Sequence, residues 1–213
     1  MINNTKALHL AQNISERVNI EDGLKNAFAS IDREAFIPKG FSFHAHQLDA
    51  LPMQEGQWIS SPLTVAKMTV ALDYKNADSV LEIGCGSGYQ AAILSKLVRR
   101  VFTVERVESL LSEARERFLN LGLKNIHTKF DDGTRGWKSY APYDRILFSA
   151  SCQVAPMALF DQLKDGGILV APIEKNGKQV ITKYIKNGKN IKAIEIEECL
   201  FVPVVAGTQK ANQ

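Results

Sequence analysis

Apolar positions recur along this chain with two different periods. Near the start the spacing is helical. Leu8, Leu10 and Ile14 mark one amphipathic helix over residues 5–18, and Leu24, Ala27, Phe28 and Ile31 mark a second over 21–31. Pro38-Lys39-Gly40 then interrupts the pattern. The stretch LTVAKMTVAL, residues 63–72, reads as a third helix. From residue 80 short apolar runs alternate with helical stretches: strand 80–84, helix 89–98, strand 100–105, helix 107–120, strand 124–129, strand 144–149, a helix near 156–163 and strand 167–172. Alternation at this spacing predicts an α/β fold with a doubly wound, mostly parallel sheet. The first two helices stand outside the alternation and are expected as an N-terminal helical cap. Past residue 174 the period becomes two: 180–185 alternates, Lys186-Asn187-Gly188-Lys189 is a hairpin turn signal, and 191–205 is strand-like again. An antiparallel C-terminal hairpin should therefore finish the sheet.

Composition changes this picture little. With 213 residues, 45% of them hydrophobic, the chain is long enough for one sizeable core. The expected organisation is one domain, with the cap and a loop over 1–62, a core over 63–173 and an antiparallel extension over 174–213. A net charge of +3 with both signs interspersed makes no demand for nucleic acid as a partner. Six lysines (175, 178, 183, 186, 189 and 192) make the hairpin region basic, which fits a solvated face. Cys85, Cys152 and Cys199 are far apart and lack metal-ligand spacing, and His44-x-His46 has no further ligands clustered with it, so no metal site is expected. The first residues lack the apolar core of a signal peptide, and no run approaches a membrane span. A reduced, cytoplasmic setting is the plain reading.

The candidate chemistry begins at Glu82-Ile83-Gly84-Cys85-Gly86-Ser87-Gly88-Tyr89. A strand, a glycine turn and a helix N-terminus together let the backbone approach a ligand and leave N–H groups free to meet it. In the dinucleotide fingerprint G-x-G-x-x-G/A the third small residue allows close packing. Here that position is Tyr89, which is too large. The pattern E-x-G-x-G-x-G instead resembles the first motif of class I methyltransferases, which use S-adenosyl-L-methionine on a Rossmann-like fold. That resemblance implies Glu82 near the methionine end of the cofactor, beside Gly84 and Gly86. Glu105 ends the next strand about 20 positions on, where a carboxylate accepts hydrogen bonds from ribose hydroxyls.

Further segments narrow the resemblance. Ile31-Asp32-Arg33-Glu34-Ala35-Phe36-Ile37-Pro38, Gln57-Trp58-Ile59-Ser60-Ser61-Pro62, Asp132-Gly133, Gln162-Leu163-Lys164-Asp165-Gly166-Gly167 and Phe201-Val202-Pro203 follow one another in the order and spacing of the protein-L-isoaspartate O-methyltransferase family. The chain resembles that family from residue 31 to about 204. The resemblance implies methylation of the carboxylate of isoaspartyl residues in damaged proteins, the first step of their repair. It places Ser60 at the substrate carboxylate as the catalytic residue. It places Ile59, Asp132 and Gly133 with the cofactor-binding group, Asp132 by the adenine, and Phe201-Val202-Pro203 along a peptide groove. The chemistry agrees, because a carboxylate with a pKa near ~4 is already an anion at neutral pH and needs no general base.

Three positions depart from the family pattern G-x-G-Q-T-I-S and G-D-G: Gln54, Trp58 and Asp131 stand where Gly, Thr and Gly are usual. Trp58 bears on which acceptor fits. Two other functions stay open at this stage. One is a class I methyltransferase for RNA, a small molecule or another protein carboxylate, although the D/N-P-P-Y and Pro-Cys signatures are absent from Ser149-Ala150-Ser151-Cys152. The other is a cofactor-binding module without turnover.

Overall fold

The computed structural model describes residues 5–211. Its elements follow the predicted order. They are α1 (Thr5–Ser15), α2 (Asp22–Ser30), β1 (Leu51–Pro52), β2 (Trp58–Ile59), α3 (Pro62–Leu72), β3 (Ser79–Ile83), α4 (Tyr89–Ser95) and β4 (Arg100–Glu105). Then come α5 (Glu108–Asn120), β5 (Ile126–Phe130), β6 (Tyr143–Phe148), α6 (Met157–Phe160), β7 (Leu163–Lys175), β8 (Lys178–Asn187) and β9 (Asn190–Cys199). Seven strands form the main sheet in the order β5-β4-β3-β6-β7-β8-β9. The first five are parallel, whereas β8 and β9 run antiparallel as a meander. The sheet order turns around between β3 and β6, and in open parallel sheets a ligand crevice forms at that point beyond the strands' carboxyl ends.

Alternation along each strand sends side chains to two cores. Val80 on β3 packs with Leu10, Phe28, Met68 and Phe118 under the helices of one face, while Leu81 and Ile83 pack with Phe148, Leu159 and Leu169 on the other. Glu82 shares the face of Val80 and is fully buried.

Several boundaries differ from expectation for identifiable reasons. Leu8 is exposed on α1, whose buried positions are Ala7, Leu10, Ala11 and Ile14. Leu8 and Leu10 are two residues apart, roughly 200° on a helix, so they cannot share a face. The helix expected near 156–163 is the single turn Met157–Phe160, because β7 already begins at Leu163. Strand structure after residue 191 stops at Cys199; residues 201–205 leave the sheet, and Pro203 bridges Ser151 instead. The turn between β7 and β8 is Asn176-Gly177, both with positive φ, the pairing a type I′ hairpin needs. Three of the six lysines are engaged: Lys175 and Lys178 pair with Glu195 and Glu198, and Lys186 donates to the carbonyls of Phe160 and Leu163.

Candidate active site

The carboxyl ends of β3, β4 and β6 open into a cleft. Its floor is the glycine turn between β3 and α4. Gly84 and Cys85 donate their N–H groups to the carbonyl of Val104, which ties the turn to β4. Gly88, at φ +89°, caps α4, and a β-carbon there would stand 2.7 Å from the Phe118 ring. Only glycine fits both demands. The large residue that follows has a structural reason. Tyr89 is buried against Phe36, with ring centroids 5.5 Å apart, and beneath the Arg33 guanidinium at 5.8 Å. It therefore fills the seam between the N-terminal cap and the sheet, where a dinucleotide fold would keep a small residue.

Two carboxyl groups face the cleft. Glu105 Oε2 accepts from the Gly86 N–H at 2.8 Å, and its Oε1 accepts from Arg106 and Val107 at 2.8 and 2.9 Å. A carboxylate has about four lone-pair sites, and with three taken, one on Oε2 remains for a ligand hydroxyl. Glu82 is paired in parallel register with Thr103, whose hydroxyl donates to Glu82 Oε2 at 2.6 Å. Glu82 Oε1 is buried without a partner. Burial, with Glu105 nearby, pushes this carboxyl up to about 8 despite the Thr103 bond and a smaller opposing effect of the Ser149 side chain. A buried, orphaned acceptor on a cleft wall calls for a donor from a bound molecule.

Ser60 lies on the opposite wall. Arg33 is wholly buried and donates to the carbonyls of Ala45 (3.0 Å), Gln47 (3.1 Å), Asp49 (2.9 Å) and Ser60 (3.2 Å). Ile59 plugs into a small core with Ile37, Ala45 and Leu51. The Ser61 hydroxyl then caps α3 by accepting from Thr64 N–H at 3.1 Å, with Pro62 in the first turn. Ser60 is thus fixed from both sides, and its own hydroxyl bonds to no other described residue. Ile59, Ser60, Glu82, Gly84, Gly86, Glu105 and Gly133 all line the cleft.

Asp132 does not line it. Its Oδ1 accepts from the Thr134 N–H and hydroxyl at 3.0 and 2.7 Å, and its Oδ2 accepts from Gly207 N–H at 2.9 Å. Burial alone would raise this carboxyl, but the bonds from Gly207 and Thr134 hold it below the usual range. Asp132 therefore shapes the turn that brings Gly133 to the cleft, where a β-carbon would stand 2.4 Å from Ile83 Cγ2. His44 and His46 diverge: Nδ1 of the first meets Gln47 at 2.9 Å, and Nε2 of the second meets Asp32 at 2.9 Å. Cys85 and Cys152 are buried, as their sequence context implies, and burial raises both thiols.

Three features of the site escaped the sequence pattern. Arg33 is one. Gln179 is another: its side chain donates to Ser151 Oγ and the Phe201 carbonyl, both at 3.1 Å, and accepts from Phe201 N–H at 2.6 Å, which holds the 201–205 segment over the cleft. The third is the tail. Gln209 bridges Val107 and its side chain reaches Glu55 Oε2 at 2.7 Å, while Arg106 donates to the Gly207 carbonyl at 3.0 Å.

Comparison with known proteins agrees with this geometry. A family model described as protein-L-isoaspartate(D-aspartate) O-methyltransferase matches residues 3–209. A protein-L-isoaspartate O-methyltransferase of Helicobacter pylori (strain J99 / ATCC 700824) is 54% identical over 98% of this chain and 100% of its own length. One of Maricaulis maris (strain MCS10) is 46% identical over 84% of each. A solved structure of a protein-L-isoaspartate O-methyltransferase superposes with a TM-score of 0.87 at 25% identity, covering 93% of this chain and 65% of that longer chain. A Plasmodium falciparum structure described as such an enzyme in complex with S-adenosyl-L-homocysteine superposes at 0.82 and 22% identity, over 93% of this chain and 98% of its own, and so shares the fold.

Proposed function

The chain belongs to the protein-L-isoaspartate(D-aspartate) O-methyltransferase family, and we propose that its cleft methylates the free carboxylate of L-isoaspartyl residues in damaged proteins. The observation that carries this reading is the opening of Ser60 into the same cleft as the acidic pair Glu82 and Glu105. S-Adenosyl-L-methionine supplies an electrophilic methyl group on a sulfonium centre. The residues present fit such a molecule. The orphaned Glu82 Oε1 suits a donor from its methionine portion, the remaining lone-pair site of Glu105 suits a ribose hydroxyl, and acidic walls suit a cationic ligand. Gly84, Gly86 and Gly133 leave room for its approach, Ile59 supports the wall beneath it, and Asp132 serves through the Gly133 turn and the tail.

The chain's own task is then positioning. A substrate carboxylate is ionised at neutral pH and attacks without a base, so the site holds it in line with the methyl group, an effect worth up to ~7–11 kcal/mol in favourable cases. Bound there, the cofactor would supply the methyl group to a carboxylate oxygen, the electron pair of its carbon–sulfur bond staying with sulfur. Ser60 donates its hydroxyl to the other carboxylate oxygen, and its position is held by Arg33, Ile59 and the α3 cap. Phe201, Val202 and Pro203 form the apolar side of the groove. None of this needs nucleic acid or a membrane, and a cytoplasmic setting suits three free cysteines. No helix among the described residues is long and apolar enough to cross a membrane.

The test is transfer of labelled methyl from S-adenosyl-L-methionine to one peptide carrying either isoaspartate or aspartate at the same position. Transfer to the isoaspartyl form alone is expected. No transfer to either form, with cofactor binding intact, would overturn the reading.

A further inference from the structure

On β2 the side chains alternate. Ile59 points into its small core, while Trp58 is 54% exposed and lines the cleft together with Ser60. Trp58 and Ser60 are two residues apart on one face of an extended segment, about 6–7 Å along the chain. The indole stacks on no other ring among the described residues, and its N–H has no hydrogen-bond partner there. Its cross-strand neighbour is Pro52. Around the same cleft lie Phe201, Val202, Val204 and the half-exposed Val205. A large aromatic surface is thus held at the cleft without a protein partner, among apolar side chains. Rigid aromatic side chains in such positions dominate recognition, because they bury much area at little entropic cost.

We infer that Trp58 is a specificity residue that forms a platform for an apolar side chain of the substrate, two residues from the isoaspartyl position. This rests on the isoaspartyl reading above. An extended peptide repeats its faces every second residue, as β2 does. On the amino side of an isoaspartyl residue the backbone is an ordinary peptide, whereas on the carboxyl side it runs through the β-carbon and gains an atom. When the substrate carboxylate meets Ser60, the side chain two positions toward the N-terminus therefore falls on the face of Trp58. A large apolar or aromatic group there is covered by the indole and the 201–205 segment, whereas glycine leaves the indole wet.

The experiment walks leucine through positions −2 to +2 of an otherwise glycine-rich isoaspartyl peptide and measures kcat and KM. Wild-type protein is expected to favour leucine by about tenfold in kcat/KM, through KM, at position −2. Trp58→Thr is expected to bring that ratio close to one, and Trp58→Phe to keep most of it. The affinity of each variant for S-adenosyl-L-homocysteine reports on folding. No positional preference in the wild type, or one that persists in Trp58→Thr, overturns the platform while leaving the isoaspartyl reading standing. Absence of transfer to every isoaspartyl peptide overturns that reading as well. If Trp58→Thr does not fold, loss of the preference in Trp58→Phe overturns stacking on the ring.

Discussion

Arg33 and Ser60 are joined by one hydrogen bond: Arg33 Nη2 donates to the Ser60 carbonyl oxygen at 3.2 Å. The same guanidinium holds three carbonyls of residues 45–49, so a single buried side chain ties the loop before β1 to the cleft-lining Ser60. Burial disfavours its charge, and no carboxylate among the described residues forms a salt bridge with it; Tyr89 and Asp49 favour the charge from further away.

Lysine cannot reproduce this fork of donors. Arg33→Lys is expected to destabilise the protein by about 2–4 kcal/mol, since buried carbonyls lose their partners. Urea denaturation measures that. In the folded fraction the KM for an isoaspartyl peptide should rise more than the dissociation constant for the cofactor. Equal changes in both would show that Arg33 does not act through Ser60.

Removal of the Ser60 hydroxyl tests the other end of the same link. A hydrogen bond to a charged partner contributes about 1.5–3 kcal/mol, so Ser60→Ala should lower kcat/KM roughly 10- to 100-fold. Cofactor affinity by calorimetry should stay close to that of the wild type. Unchanged turnover would remove Ser60 from the reaction.

Glu82 gives cofactor binding a pH dependence with a definite sign. Its carboxyl is neutral up to about 8 in the free protein. A ligand ammonium group that donates to Oε1 favours the ionised form, so binding releases a proton. Affinity for S-adenosyl-L-homocysteine should then rise about tenfold per pH unit below 8, and Glu82→Gln should flatten the profile. The linkage to folding runs the other way. A folded value raised above the unfolded one adds stability at acid pH that is lost as pH rises through 8. The ligand-free wild type should therefore lose stability relative to Glu82→Gln as pH rises from about 4.5 to about 8, and no further above that. Calorimetry in buffers of different ionisation heat reads the released proton directly, and a pH-independent affinity between 6 and 8 would refute the assignment.

The glycines of the turn separate folding from binding. Gly88→Ala meets the Phe118 ring at 2.7 Å and keeps a φ of +89°, so a loss of about 2–4 kcal/mol is expected from strain and overpacking. Gly86→Ala meets nothing within 4 Å at φ +52°, and should cost only about 1–2 kcal/mol. Its methyl group enters a cleft-lining position, so cofactor affinity should suffer more than thermal stability. Thermal melts and calorimetry on both variants separate the two effects.

How much of this was legible beforehand depended on range. The parallel sheet follows from apolar runs that recur at βαβ spacing, and Glu82, Gly84, Gly86 and Glu105 follow from strand ends and glycines within one such unit. Ser60 could be reached only through the surrounding motif, because a lone loop serine carries no signal of its own. Arg33 was invisible as a functional residue: its four carbonyl partners lie 12–27 residues away, and no period links them. Asp132 could be located but not its work, since Gly207 is 75 residues distant. The Asn176-Gly177 turn was present in the sequence, but the strand that it ends was expected to stop at residue 172.

The tail contacts impose an order on assembly. Gln209 meets Glu55 across 154 positions, and Gly207 meets Asp132 across 75, so both links join early residues to late ones. During synthesis Ser60, Glu82 and Glu105 emerge, and their sheet can begin to form, long before residues 207–209 exist. A nascent chain can therefore hold the glycine turn and Glu105 before the 207–209 segment exists to tie Glu55, Arg106 and Asp132 together.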